Sequence, residues 1–287
     1  MINTDFPHDK VYELFQVSKT FFDLPLEAKE NPTVNTDKVH GYDGMSREKL
    51  NPELPYGDLK EAFNVRTDAP TVWPMESKCP GFKASLLVFF ELCVRLHDRV
   101  LEVMAHGLKL EDPLFFVKRH VKPNRSCLRP LFYPSLNDVT VKDQQVRCSE
   151  HSDYGGITLL FQQKPGLEVC KRGGGYVKVP LVEGGILVNI GDLMQRWTSD
   201  TYTATRHRVL LDGTPEERSQ SRQSIAFFGN PTDEAVIECT DNSNKYPPIT
   251  CKEYLDKIFK CTSGPLACDV RSPNGALTET NEDLFTG

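Results

Sequence analysis

Apolar positions divide the chain into a helical front and a strand-rich second half. Val11, Leu14, Phe15, Phe21 and Phe22 recur near helical spacing, with Asp9 as the expected cap and Pro25 as the stop. Residues 31–60 are rich in Asn, Asp, Gly and Pro and predict a long irregular segment. Inside a compact domain such a segment usually forms a pocket wall or lid. A long helix is predicted over 82–106, with Leu86, Phe90, Cys93, Val100, Leu101 and Met104 on or near one stripe. Glu91, Arg95, Asp98, Arg99 and Glu102 interrupt that apolar stretch, which makes it amphipathic rather than membrane-spanning.

From residue 127 the period shortens to that of strands. Leu128–Tyr133, Gly156–Gln162, Leu167–Cys170, Tyr176–Val179, Ile186–Ile190, Arg206–Leu211 and Gln223–Phe228 are short runs rich in β-branched, aromatic and other apolar residues. Tyr-Gly-Gly, Lys-Pro-Gly, Arg-Gly-Gly-Gly, Glu-Gly-Gly and Asp-Gly turns separate them. Strands so spaced predict a β-sandwich or jelly roll, hence a mainly β (α+β) fold with flanking N-terminal helices. A capping box from Thr250 to Glu253 opens a last helix whose Leu255, Ile258 and Phe259 form one docking face. The expected organisation is one structural domain: a helical and irregular part over 1–120, a β core with C-terminal helix over 121–263, and a polar tail over 264–287.

Composition narrows the function classes. The 287 residues carry a formal charge of −6, with 39% hydrophobic and 26% charged residues, as in ordinary globular proteins. No basic stripe supports nucleic-acid binding, and no apolar run reaches the length of a membrane span. Nine scattered cysteines without a C-x-x-C pair fit free thiols better than a disulfide framework or a zinc finger. The opening Met-Ile-Asn-Thr-Asp-Phe-Pro lacks the pattern of a secretory signal, so the expected location is cytoplasmic.

The candidate chemistry starts at His151-Ser-Asp153, where an extended chain directs the imidazole and carboxylate to the same side. His207, some 50 residues downstream, supplies a second imidazole. Two imidazoles and one carboxylate form the facial triad of non-haem Fe(II) oxygenases, although ligand types alone also admit zinc. Arg222 and Ser224 share one face of a later strand, and Tyr133 can add a phenol. A guanidinium in a mostly apolar β core needs an anionic partner, and its fork suits a carboxylate such as that of 2-oxoglutarate.

In these stretches the sequence resembles the isopenicillin-N-synthase-like branch of the Fe(II)/2-oxoglutarate-dependent dioxygenases. The resemblance rests on Leu128-Arg129-Pro130-Leu131-Phe132-Tyr133-Pro134 and on Glu150-His151-Ser152-Asp153-Tyr154-Gly155-Gly156. It continues through Pro165-Gly166-Leu167, Val188-Asn189-Ile190-Gly191-Asp192, Thr205-Arg206-His207-Arg208-Val209 and Arg222-Gln223-Ser224-Ile225-Ala226-Phe227-Phe228. It implies a distorted double-stranded β-helix, with His151, Asp153 and His207 as iron ligands and catalytic residues. It also implies that Arg222 and Ser224, assisted by Tyr133, hold 2-oxoglutarate, with O₂ as oxidant and ascorbate as a candidate reductant. The intact carboxylate at Asp153, where related halogenases carry a small residue, points to hydroxylation, desaturation or ring closure.

Two departures stand out. The family's leading strand, helix and strand, about forty residues by typical element lengths, find no counterpart before Phe21-Phe22-Asp23-Leu24-Pro25. A sheet edge is therefore expected to be open. Leu131 stands where plant members often carry Asn. Candidate substrate contacts are Tyr42, Arg129, Phe132 and Phe228, with Phe63 a weaker aromatic candidate. An unpaired Arg129 in the cavity would favour a carboxylate-bearing substrate. The expected partner is a small molecule, without nucleic acid or membrane, and the chain is expected to be a monomer or weak oligomer. Two alternatives stay open at this point: an Fe(II) oxidase whose Arg222 and Ser224 hold a substrate carboxylate instead, and a non-catalytic small-ligand sensor.

Overall fold

A computed structural model describes residues 4–30, 40–51, 53–68 and 70–263. The polar tail expected over 264–287 lies outside them. The chain opens with α1 (His8–Phe22) and α2 (Leu26–Lys29), followed by β1 (Gly41–Asp43), β2 (Glu61–Arg66) and α3 (Phe82–Gly107). After a short 3-10 turn come β3 (Cys127–Tyr133), β4 (Cys148–His151), β5 (Ile157–Gln162), β6 (Leu167–Cys170), β7 (Tyr176–Lys178) and β8 (Leu187–Ile190). Then follow α4 (Asp192–Trp197), β9 (His207–Val209), α5 (Pro215–Ser219), β10 (Arg222–Gly229), β11 (Val236–Ile237), β12 (Ile249–Thr250) and α6 (Cys251–Ser263).

The seven strands expected after residue 127 all form, with ends shifted by at most two residues. Two details of the helices differ from expectation or match it closely. Pro7, not Asp9, occupies the N-cap of α1, and Asp9 sits in the first turn, where its charge suits the helix dipole. At α6 the capping box forms as expected: Glu253 N–H donates to Thr250 Oγ1 at 3.2 Å, and Thr250 N–H donates to Glu253 at 3.0 Å.

Two antiparallel sheets face one another, as in a jelly roll. The larger has the order β1-β2-β3-β10-β5-β8 and the smaller β4-β9-β6-β7. The period of two along each central strand assigns its side chains to opposite layers. On β10, Arg222, Ser224, Ala226 and Phe228 face the space between the sheets, whereas Ile225 and Phe227 join the core beneath the helices. On β3 the inward set is Cys127, Arg129, Leu131 and Tyr133.

The outer face of the large sheet packs on α1 and α3 through an aromatic layer. Phe21 stacks on Phe82 with ring centroids 4.6 Å apart and meets Phe63 edge-on at 5.1 Å. Phe90 meets Phe227 at 5.2 Å. Each such ring, fully buried, stabilises the fold by roughly 1.5–3 kcal/mol. This layer fixes the large sheet as a rigid wall for the cavity on its other side. Cys79, Cys93, Cys127, Cys148, Cys170, Cys239 and Cys251 are free thiols, as expected.

Candidate active site

The cavity between the sheets has a volume of about 650 Å³. Its floor holds the three residues singled out by spacing. His151 ends β4, Asp153 follows two residues later, and His207 opens β9, where β4 and β9 pair His151 with His207. A ligand atom from each lies within 4.8 Å of the others, the sole such group of three or more His, Cys, Asp or Glu residues among the described residues.

One local device orients both imidazoles. His151 Nδ1 lies 2.8 Å from Ser149 O, and His207 Nδ1 lies 3.0 Å from Thr205 O, in each case the carbonyl two residues earlier. A carbonyl can only accept, so Nδ1 carries a proton, and in the neutral ring that tautomer leaves the Nε2 lone pair free. The two Nε2 atoms stand 3.9 Å and 3.7 Å from the same Asp153 Oδ1. Those separations are too long for hydrogen bonds and short enough for bonds of about 2.0–2.2 Å to one shared ion.

The electrostatics favour the ligating protonation states. Burial and the neighbouring His207 push His151 down to about 3, so its ring is neutral near pH 7. Burial opposes the charge on Asp153, but the two imidazoles, Thr158 and Asn189 outweigh it and hold the carboxyl below its ordinary range. Asn189 Nδ2 donates to Asp153 Oδ2 at 2.7 Å, leaving Oδ1 turned toward the imidazoles. Asn189 escaped the sequence reading as a site residue. Its signal was parity: Val188 and Ile190 pack outward, which turns Asn189 inward.

Arg222 lies deep in the same cavity and is 4% exposed. Its Nε donates to Pro165 O at 3.0 Å and to Lys164 O at 3.2 Å, while Nη2 donates to Gln162 Oε1 at 3.1 Å. Nη1 is 3.4 Å from Ser224 Oγ, and the guanidinium carbon is 5.0 Å from the Tyr133 ring centroid. The β10–β3 register places Arg222 opposite Tyr133 and Ser224 opposite Leu131. Burial lowers the Arg222 pKa, yet a guanidinium keeps its charge. Burial also pushes Tyr133 up to about 12, so its phenol stays a donor.

The other cavity arginines differ from Arg222. Arg129 pairs with Glu48 and Asp43, Arg66 with Asp68, Arg125 with Asp233 and Asp256, and Arg47 with Glu30. Among the described residues, no carboxylate pairs with Arg222. It is therefore the cavity guanidinium left to receive an anion.

The remaining expectations separate by strand parity. Phe228 lines the cavity as expected. Phe132 does not: it lies one position from the inward set on β3 and stacks on Phe22 at 5.4 Å. Tyr42 pairs in register with Phe63, shares its outward face, and donates its hydroxyl to Glu61 at 2.6 Å. Phe63 belongs to the aromatic layer beneath the helices. Arg129 does reach the cavity, but Glu48 Oε1 at 2.9 Å neutralises it, which removes the basis for expecting an acidic substrate.

A jelly roll with an inward His-Asp-His group and a buried, acid-free arginine defines a class of metal-dependent oxidising enzyme, and comparison with known proteins agrees. Residues 124–231 match the 2OG-Fe(II) oxygenase superfamily, and residues 1–81 match the N-terminal family of non-haem dioxygenase in morphine synthesis. Proline hydroxylase buaE of Petromyces alliaceus is 34% identical over 252 residues, covering 82% of this chain and 77% of that one. The 2-oxoglutarate-dependent dioxygenase htyE of Aspergillus rugulosus is 31% identical, covering 82% and 78%. A full-length Neurospora crassa protein crystallised with alpha-KG superposes with a TM-score of 0.80 at 33% identity, covering 91% and 85%. The same protein has been crystallised with alpha-KG and thymine. This chain belongs to the 2OG-Fe(II) oxygenase superfamily. It is accordingly an oxidoreductase that uses iron and 2-oxoglutarate to oxidise small metabolites. Among the described residues, no helix is long and apolar enough to cross a membrane.

Proposed function

We propose that His151, Asp153 and His207 hold the ferrous ion and that Arg222, Ser224 and Tyr133 hold the distal carboxylate of 2-oxoglutarate. The protein then oxidises a C–H bond of a small organic molecule bound in the remainder of the cavity. The observation that carries this reading is the shared aim of three ligand atoms at one point, with both Nδ1–H groups tied to backbone carbonyls. Such second-sphere bonds fix tautomer and ring orientation before any ion arrives. When bound, iron supplies the activation of O₂ that organic side chains cannot.

The chain's own residues do the rest. Arg222 offers a charged fork and Ser224 and Tyr133 offer neutral donors to a carboxylate. Asn189 keeps Asp153 oriented and charged. The apolar lining, including Leu160, Leu187, Val209 and Phe228, keeps water from the reacting carbon. Leu131 lies opposite Ser224, so the wall beside the co-substrate is apolar at this point. The expected partner is a small molecule, and a single subunit contains every residue invoked.

Anaerobic titration with Fe(II) and then 2-oxoglutarate tests the assignment. A visible charge-transfer band is expected for the parent and its absence for His151→Ala. A band of equal strength in His151→Ala refutes the ligand assignment. Succinate release stimulated by a small-molecule library identifies substrates.

A further inference from the structure

The cavity wall formed by β2 and β3 carries two donors that the co-substrate does not use. Val65 pairs with Leu128 and Ala62 with Leu131, which sets Asn64 opposite Arg129 with both side chains facing the cavity. Side chains directly opposite on neighbouring strands stand about 5 Å apart at Cβ. Asn64 is 3% exposed; its Oδ1 lies 3.7 Å from Cys127 Sγ and its Nδ2 has no partner. Arg129 Nε is also buried without a partner. Two adjacent unfilled donors call for an oxygen acceptor on the substrate.

The surrounding charges decide what kind of acceptor. Arg129 lies 2.9 Å from Glu48 and 3.5 Å from Asp43, and Lys60 lies 2.9 Å from Glu48 and 2.5 Å from Asp58. Three carboxylates thus face these two cations, so neither Arg129 nor Lys60 carries an unbalanced charge. An anionic group brought here would shed its water to meet a guanidinium already neutralised by neighbouring acids, a net loss. A carbonyl or amide oxygen takes both donors without that penalty. Ala226, opposite Arg129 on β10, and Phe228, opposite Cys127, supply an apolar surface alongside.

Resting on the oxygenase reading above, we infer that Asn64 and Arg129 form a donor pair selecting an uncharged, carbonyl- or amide-bearing substrate over a carboxylate of the same skeleton. The test is calorimetric titration of Fe(II)- and 2-oxoglutarate-loaded protein under nitrogen with matched probes, thymine against uracil-5-carboxylate and benzamide against benzoate. The neutral member of each pair is expected to bind about tenfold more tightly, a difference of about 1.4 kcal/mol. Asn64→Ala is expected to weaken the neutral probes about tenfold while 2-oxoglutarate affinity holds. Glu48→Gln, which removes a carboxylate charge beside Arg129, is expected to move the preference toward the carboxylates. The inference is overturned if no neutral probe outbinds its carboxylate partner, or if Asn64→Ala binds the neutral probes as the parent does. The 2-oxoglutarate titration, run before any probe is added, reads the oxygenase assignment alone. Absence of binding there defeats that assignment, whereas bound 2-oxoglutarate with carboxylates preferred defeats the donor pair.

Discussion

Replacing Arg222 separates its two physical roles, because the guanidinium is both a buried charge and a hydrogen-bonded strut. Arg222→Met keeps an unbranched apolar stem but removes the guanidinium and its charge. Hydrogen bonds to charged groups contribute about 1.5–3 kcal/mol each, and a carboxylate gripped by the fork forms two. Taking about 3 kcal/mol as the net loss weakens 2-oxoglutarate binding about 150-fold. Arg222→Lys keeps a charge but loses the fork, and a loss of one bond gives a weakening of about tenfold. The ligand-free protein is expected to respond differently. The substitution abandons Pro165 O, Lys164 O and Gln162 Oε1 as acceptors, which destabilises, yet it removes a buried cation that has no acidic partner, which stabilises. These oppose one another, so unfolding without ligand should change by less than about 2 kcal/mol. The assay is thermal or chemical denaturation of the iron-loaded protein under nitrogen, with and without 2-oxoglutarate, beside calorimetric titration. At 100 times the parent's dissociation constant, 2-oxoglutarate stabilises the parent by about 2.7 kcal/mol and the Met variant by about 0.3 kcal/mol. A Met variant that binds 2-oxoglutarate within threefold of the parent refutes the assignment of Arg222.

Other outcomes follow from the same geometry. Asn189→Leu frees Asp153 Oδ2 and is expected to weaken iron binding about 10–100-fold, read by equilibrium titration with Fe(II) under nitrogen. Chelating the metal from the loaded protein is expected to lower its melting temperature, and a melting curve unmoved by chelator counts against a metal site in the folded state. His120 is buried and pushed down to about 3 by its burial and by His97, so the folded protein keeps it neutral where the unfolded chain, titrating near 6.5, takes up a proton. Stability from this group is present above pH 6.5 and is lost as pH falls toward 3, at up to about 1.4 kcal/mol per pH unit. Between pH 6 and pH 5 the parent should therefore lose about 1 kcal/mol more stability than His120→Phe, and equal slopes in urea denaturation would contradict the assignment. Phe21→Ala, which empties the centre of the aromatic layer, is expected to destabilise by about 3–5 kcal/mol in the same measurement.

What was legible in the sequence and what was not divides along one physical line. Strand spacing, turn residues and the capping box are local, so the β core and α6 could be read from residues alone. The His151–Asp153 pair could be read because an i, i+2 spacing is itself a statement about direction. His207 and Arg222 required chemistry to connect them to that pair, since β9 and β10 reach the cavity only through the pairing of strands distant in sequence. Phe132 was misplaced because strand direction was not applied to it. Phe132 and Arg129 occupy one strand, and parity alone sends the first to the helices and the second to the cavity. The same parity applied from Tyr133 along β3 would have excluded Phe132.

Arg129 exposes the deeper limit. Strand parity placed it in the cavity, but its charge is balanced by Glu48 and Asp43, which lie more than eighty residues earlier. Both acids come from the irregular segment expected to form a pocket wall, and they do line the cavity, but no period or turn signal marks them as partners of a strand residue. Electrostatic character of a pocket is thus set by pairings that a linear pattern does not encode, whereas its ligand geometry is set by backbone direction, which it does. That difference explains why the metal-binding chemistry could be argued from sequence while the expectation of an acidic substrate lost its basis once the ion pairs were known. It also identifies Glu48→Gln as the informative substitution, since it alters cavity charge without touching any residue assigned to iron or to 2-oxoglutarate.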